Sequence, residues 1–301
     1  MNQSRHPLTR RAALPAASPL VSAAALEAAL DAGAEVVLLD ARFDLSDPEA
    51  GRRAYAQGHL PGAQYADLDR DLSGPKAAPG PAFTGRHPLP SRDAFAATVG
   101  RWGIGPGTCV VAMDAQGSAY AARLWWLLRW IGHARVWVLD GGIAAWLAAG
   151  GTLTAEATTA RARAPYPRRA ASMPTVDAAQ LAGTLGSAQV VDARAAERFR
   201  GDVEPLDAVA GHIPGTLNRP FKDNLDAGGA HFKPAAQLAR EFAALCGGAL
   251  PSASVLLCGS GVTACHNLLA MQAAGLPGAA LYPGSWSEWC ADPVRPVARG
   301  A

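Results

Sequence analysis

The sequence predicts an α/β protein made of two copies of one domain, each a mainly parallel sheet with helices on both faces. Three observations predict it. First, the chain repeats itself. Val36-Val37-Leu38-Leu39-Asp40-Ala41-Arg42 recurs as Gln189-Val190-Val191-Asp192-Ala193-Arg194, and Gly58-His59-Leu60-Pro61-Gly62 recurs as Gly211-His212-Ile213-Pro214-Gly215. Val110 to Asp114 then corresponds to Val255 to Cys258, and Leu139-Asp140-Gly141-Gly142 to Tyr282-Pro283-Gly284-Ser285, in the same order. Second, each copy alternates short apolar runs with helical segments, the pattern of strand–helix–strand units that feed a parallel sheet. Third, 301 residues suffice for two domains of ordinary size.

Taken in order, Leu20 to Leu30 reads as the first helix, with Ser22 as its N-cap. The first domain spans 18–150. Asp40 and Asp192 each end a strand two residues before an arginine, where a carboxylate caps a turn or pairs with a buried guanidinium. His59 and His212 sit in Gly-His-X-Pro-Gly turns, in which proline and glycine set the backbone and the imidazole can bond it. Trp125, Trp126, Trp130, Trp137 and Trp146 read as core and interface packing. Residues 151–173, rich in Ala, Arg and Thr and holding Pro165 and Pro167, read as an exposed linker. The second domain spans 174–301.

Composition excludes several classes. Half the residues are hydrophobic and 17% are charged, as in a folded protein rather than a disordered one. The net charge of +2, with both signs interspersed, leaves no footprint for nucleic acid or an anionic membrane. No apolar run approaches the ~20 residues needed to span a bilayer. Five cysteines without a paired framework fit a reducing compartment, so a cytoplasmic location is expected. Thr9-Arg10-Arg11 has the outline of a twin-arginine export signal, but Pro15 and Pro19 interrupt the apolar stretch behind it, and export is not expected.

The chemistry concentrates at Cys258-Gly259-Ser260-Gly261-Val262-Thr263-Ala264-Cys265. A buried strand, Ser254 to Leu257, runs into this loop, and a helical pattern follows until Gly275. Backbone N–H groups at such a strand–loop–helix junction can point at one centre and hold negative charge, which favours a thiolate at Cys258 over a thiol. Gly259 and Gly261 let the backbone come close. The alternative is a buried cysteine that merely ends a strand. Cys109, Cys246, Cys265 and Cys290 lack this setting and read as packing. The spacing of Cys258, Cys265 and His266 matches no usual zinc pattern, so no metal is expected. A phosphatase of Cys-X5-Arg type is excluded, because the arginine position is Ala264. In the first copy Asp114 stands at the nucleophile position, with Gly117 matching Gly261. A carboxylate cannot accept sulfur there, so that domain is expected to be inactive and to wall a cleft.

This loop and the tandem repeat resemble the rhodanese family of sulfurtransferases over nearly the whole chain, and most specifically its 3-mercaptopyruvate branch. Thiosulfate-specific members usually carry Arg-Lys where this chain has Gly259-Ser260. The resemblance implies two rhodanese-like domains and sulfur transfer from a small anionic donor, through a Cys258 persulfide held by the N–H groups of Gly259, Ser260, Gly261, Val262 and Thr263. It implies a thiol, cyanide or thioredoxin-like acceptor, and neither metal nor organic cofactor. It gives Arg198 to the donor's anionic end, a role suited to a planar guanidinium. It suggests that a first-domain histidine, here His59, relays a proton with Ser260, with Asp44, Asp47 and Glu49 as open choices of acidic partner. The branch has a second arginine after a Glu-Pro. Here Glu204-Pro205 is followed by Leu206, which leaves thiosulfate as the rival donor. From a different class, the chain could be a persulfide carrier or binding module fed by another protein.

Overall fold

Two parallel sheets, each fed by the repeat, organise the computed structural model, which describes residues 14–300 except 16, 79, 81, 82 and 168. Thr9-Arg10-Arg11 and the terminal Ala301 lie outside the described residues. The first sheet joins β1 (Leu20–Val21), β2 (Val36–Asp40), β3 (Gln64–Tyr65), β4 (Cys109–Met113) and β5 (Val136–Leu139) in the order β1-β5-β4-β2-β3. Its helices are α1 (Ala23–Asp31), α2 (Ala50–Gln57), α3 (Arg92–Arg101), α4 (Ala121–Trp130) and α5 (Gly142–Ala148). The second half runs α6 (Ala178–Thr184), β6 (Gln189–Asp192), α7 (Ala196–Arg200), β7 (Leu217–Asn218), α8 (Ala235–Leu245), β8 (Ser254–Leu257), α9 (Ala264–Ala273), β9 (Ala280–Leu281) and α10 (Ser285–Trp289). Its sheet order is β7-β6-β8-β9. β4 and β8, the strands that lead into the two equivalent loops, each lie between two parallel neighbours. Buried on both faces, they read as continuous apolar runs without alternation.

Ser22 caps α1 by accepting from the Ala25 N–H at 3.2 Å, whereas Leu20 and Val21 belong to the edge strand β1 and not to the helix. The two Asp-X-Arg repeats have one shared task. Arg42 Nη2 lies 2.6 Å from Asp40 Oδ2 and donates to Gly58 O, and Arg194 Nη2 lies 2.7 Å from Asp192 Oδ2 and donates to Gly211 O. A buried ion pair thus pins each Gly-His turn to its sheet.

α4 and α9 pack against each other across the two halves, and one apolar cluster runs from Val110 and Trp125 through to Leu256 and Leu269. This explains why α4 is buried almost all round, Arg123 included. Residues 152–173 are not a free linker. Thr154 pairs with His59, Arg163 N donates to Gly100 O at 2.8 Å, and Tyr166 is buried with its N–H on Ala96 O. The strap is bound because Gly100 and Gly103 leave room for its backbone. A Cβ at Gly100 would lie 2.5 Å from Ala164 O.

Two buried histidines make folding sensitive to acid. His133 and His266 are both fully buried, and burial pushes each imidazole down to about 4. Between that value and the ordinary ~6.5 of an unfolded histidine, the unfolded chain binds protons that the folded chain refuses, so stability falls as pH falls through this window. Lowering the pH from 7 to 5 is expected to cost on the order of 2 kcal/mol per histidine. Urea midpoints at the two pH values check this. His266→Gln should shrink the drop, and equal midpoints for wild type at both values would refute it.

Candidate active site

Cys258 follows β8 and is 2% exposed. The loop after it is anchored from α10. The N–H groups of Trp286 and Ser287 donate to Cys258 O and Gly259 O at 3.0 and 2.9 Å, and Cys258 N donates to Ser285 Oγ at 3.1 Å. Gly261 has φ 76°, and a Cβ there would lie 2.3 Å from Pro283 O, so this turn requires glycine. From the first half, the fully buried Arg123 donates to Gly261 O at 3.1 Å and to His87 O at 3.2 Å. Among the described residues, the N–H groups of Gly259, Ser260, Gly261, Val262 and Thr263 have no protein acceptor. Five successive N–H donors thus follow Cys258 in the chain.

The equivalent loop in the first half is filled by its own side chain. Asp114 Oδ1 accepts from the N–H groups of Gln116 and Ser118, and Oδ2 from those of Tyr120 and Ala121, each at 2.9 Å. The carboxylate sits where an anion on Cys258 would sit in the second half. The other cysteines differ from Cys258 in setting. Cys265 Sγ rests on Gly261 O at 3.3 Å, and burial pushes that thiol up to about 12. Burial likewise raises Cys246, and it raises Cys290 to about 11.

The segment before α3 faces the nucleophile. Gly85 has φ 97° and lies so close to the second half that a Cβ would be 2.6 Å from Gly284 O. The next N–H, of Arg86, donates to Ser287 Oγ at 3.1 Å. This docking aims His87 at the loop, with Nδ1 2.8 Å from Ser260 Oγ. On its other side, Nε2 lies 3.4 Å from Asp69 Oδ1, which Lys76 Nζ approaches to 2.7 Å. The imidazole beside it, and then Lys76, hold the Asp69 carboxyl down to about 2. Burial lowers the His87 imidazole, so it is neutral near pH 7. With the ring proton on Nε2, toward Asp69, Nδ1 would accept from the Ser260 hydroxyl. Asp69, His87 and Ser260 thus form a chain of contacts that runs from the first half into the loop opened by Cys258.

His59 is not part of this chain. Its ring nitrogens lie 2.8 and 3.1 Å from the carbonyl oxygens of Tyr55 and Glu156, and it stacks on Tyr55 at 3.9 Å. His212 is its structural twin, bonded to Phe199 O and stacked on Phe199 at 3.9 Å. The imidazole belongs to the repeated turn in both halves, which is why the expectation for His59 fails. The acidic residues considered beside it are also engaged elsewhere: Asp44 with Ser46, Asp47 with Arg53, and Glu49 with Arg70.

Arg198 lies at the loop, and a second guanidinium joins it from the other half. A Cβ on Gly259 would lie 2.9 Å from Arg86 Nη2 and 3.5 Å from Arg198 Nη1. Arg86 pairs with Asp207, and Arg198 Nη2 contacts Glu204 Oε1 at 2.6 Å and Asp207 Oδ2 at 3.4 Å. Leu206 supplies no cation. Arg86 reaches the loop from across the cleft instead, a contact that Glu204-Pro205-Leu206 does not reveal in sequence. The signal present in the sequence was Gly85-Arg86-His87-Pro88 just before α3, whose equivalent before α8, Ala230 to Pro234, likewise holds a histidine, His231.

The rhodanese-like domain family matches residues 22–149 and 177–292. A Pseudomonas aeruginosa protein named "Probable 3-mercaptopyruvate sulfurtransferase" is 48% identical over 269 residues, covering 88% of this chain and 93% of its own. A chicken (Gallus gallus) thiosulfate sulfurtransferase is 36% identical over 279 residues, covering 90% and 92%. Among solved structures, a 3-mercaptopyruvate sulfurtransferase from Leishmania major superposes with a TM-score of 0.79 at 29% identity, over 91% of this chain and 75% of its own.

Proposed function

This chain belongs to the rhodanese family as a tandem-domain sulfurtransferase, and on that premise we propose that Cys258 takes sulfur from 3-mercaptopyruvate and passes it on as a persulfide. The observation that carries the choice of donor is the Asp69–His87–Ser260 chain ending at the loop. His87, through Ser260, takes the Cys258 proton. The thiolate attacks the donor sulfur, an S–S bond forms and the C–S bond breaks, with the electron pair passing to carbon as the pyruvate enolate. The same proton then goes to that carbon, which balances the step. The N–H groups from Gly259 to Thr263 hold the negative sulfur, as preorganised donors do. Arg198 and Arg86 hold the carboxylate. A thiol, cyanide or thioredoxin-like acceptor removes the sulfur. The inactive first domain (18–150), the strap (151–173) and the catalytic domain (174–301) divide the work. Five free cysteines suit a cytoplasmic setting. No helix of the described residues is long and apolar enough to cross a membrane.

Thiosulfate is the second reading, favoured by one observation: Arg86 and Arg198 together suit a dianion as well as a carboxylate. Parallel kcat/KM measurements with the two donors, and digestion with mass analysis of the sulfur-loaded protein, decide between them. The expected result is a preference for 3-mercaptopyruvate with the added sulfur on Cys258. A preference for thiosulfate would overturn the donor. A persulfide that forms only from another protein, without turnover of either small donor, would make the chain a carrier.

A further inference from the structure

The two guanidiniums at the Cys258 loop are each half taken by a carboxylate of the protein itself. Arg86 places Nη1 on Asp207 Oδ1 and Nη2 toward Gly259. Arg198 places Nη2 on Glu204 and, at 3.4 Å, on Asp207 Oδ2, while Nη1 faces Gly259. Among the described residues, neither Arg86 Nη2 nor Arg198 Nη1 has an acceptor. An anion can thus enter between these two nitrogens while Asp207 stays where it is. The Asp207 side chain is 5% exposed and joins an arginine of one half to an arginine of the other. Burial raises its carboxyl while Arg86 pulls it back, and it is ionised at neutral pH. The charges of this corner cancel, with Arg86, Arg194 and Arg198 set against Asp192, Glu204 and Asp207. Lys76 and Asp69, close by, pair with each other.

We propose that Asp207 is a specificity-determining residue, which remains beside the bound donor and selects a singly charged carboxylate over a dianion. The proposal rests on the sulfurtransferase reading above and adds to it the residue that sets the donor's charge. Arg86 and Arg198 taken alone suit a dianion. Taken with the carboxylates that hold them, they offer two N–H edges in a corner without net charge. A carboxylate donor then brings one unbalanced negative charge to the corner and thiosulfate brings two. Repulsion from Asp207 grows in proportion to the donor's charge, so it weighs twice as heavily on thiosulfate. Glu204 cannot make this choice in the same way, because Arg194 and the N–H groups of Leu206 and Asp207 also hold it.

Asp207→Asn removes the charge and keeps the shape, and Asp207→Glu keeps the charge. For wild type and both variants, kcat/KM is measured with 3-mercaptopyruvate and with thiosulfate. Binding of pyruvate and of sulfate, a monoanion and a dianion, is measured by titration calorimetry at fixed ionic strength. In Asp207→Asn the ratio of kcat/KM for 3-mercaptopyruvate to that for thiosulfate should fall about tenfold, and sulfate should gain about tenfold on pyruvate in affinity. Asp207→Glu should keep both wild-type preferences. Equal gains for the two donors and the two anions in Asp207→Asn would make Asp207 a competitor that the donor displaces, and would overturn the proposal. Equal losses would reduce it to a support for Arg86 and overturn it as well. A wild type that forms no persulfide from either donor would defeat the sulfurtransferase reading. The calorimetric comparison needs no turnover, and it upholds or overturns the selection by charge in that case too.

Discussion

His87→Asn is expected to slow pyruvate formation from 3-mercaptopyruvate by about 10²- to 10⁴-fold, the range for loss of a positioned general acid–base. Sulfur uptake from thiosulfate should fall at least tenfold less. The two donors part at one atom. Breaking the C–S bond leaves a carbanion equivalent that must be protonated, whereas sulfite leaves as a stable anion. With thiosulfate no carbon has to be protonated, so the loss of His87 removes less. Rapid-quench assays of pyruvate and sulfite make the comparison, and equal slowing with both donors would reduce His87 to a packing residue. Because burial lowers the His87 imidazole, the wild-type rate should hold through neutral pH and fall on the acid side, where the ring binds a proton and can no longer take one from Cys258.

Arg86→Leu is expected to lower kcat/KM for 3-mercaptopyruvate by about 100-fold, carried mainly by KM, as for removal of one member of a charge-paired contact. Arg198→Leu should act in the same direction and by a similar factor. Arg86 matters beyond its charge, since without it Asp207 leans wholly on Arg198 and competes with the donor there. Leu206→Arg placed in the Arg86→Leu background should recover part of the loss, because Leu206 and Arg86 line the same cavity. Steady-state kinetics on the four proteins test this. A KM unmoved by Arg86→Leu would place the carboxylate elsewhere.

What the sequence made legible follows from distance along the chain. The repeat announced two sheets, since strands and turns recur in order with local cues. The junction at 254–273 is likewise local: an apolar strand, two glycines and a helix. The edge strand β1 escaped because two residues beside a good N-cap carry no pattern of their own. The residues that complete the candidate site were hidden for a different reason. His87 meets Ser260 over 173 positions, and Arg86 meets Asp207 over 121. No periodicity links such pairs. The repeated turn drew the eye to His59, yet repetition marks what both halves need in order to fold. The segments before α3 and α8 each dock on the opposite half, but only the one at 85–88 meets a loop that carries a cysteine.

The carboxylate of Asp114, folded back onto its own four N–H groups, has a consequence for how the two copies came to depend on each other. Its side-chain carboxylate supplies the acceptors that these donors need, so that loop holds no reactive centre of its own. The surface segments of the first copy were free to serve a neighbour. Asp69, His87, Arg86 and Arg123 all come from that copy, while Cys258, Ser260 and Arg198 come from the other. On the proposed chemistry, Asp114 in place of a nucleophile marks a division of labour between the two copies. One duplicated ancestor has become a donor of tools and the other a holder of sulfur, and neither half retains a complete trade.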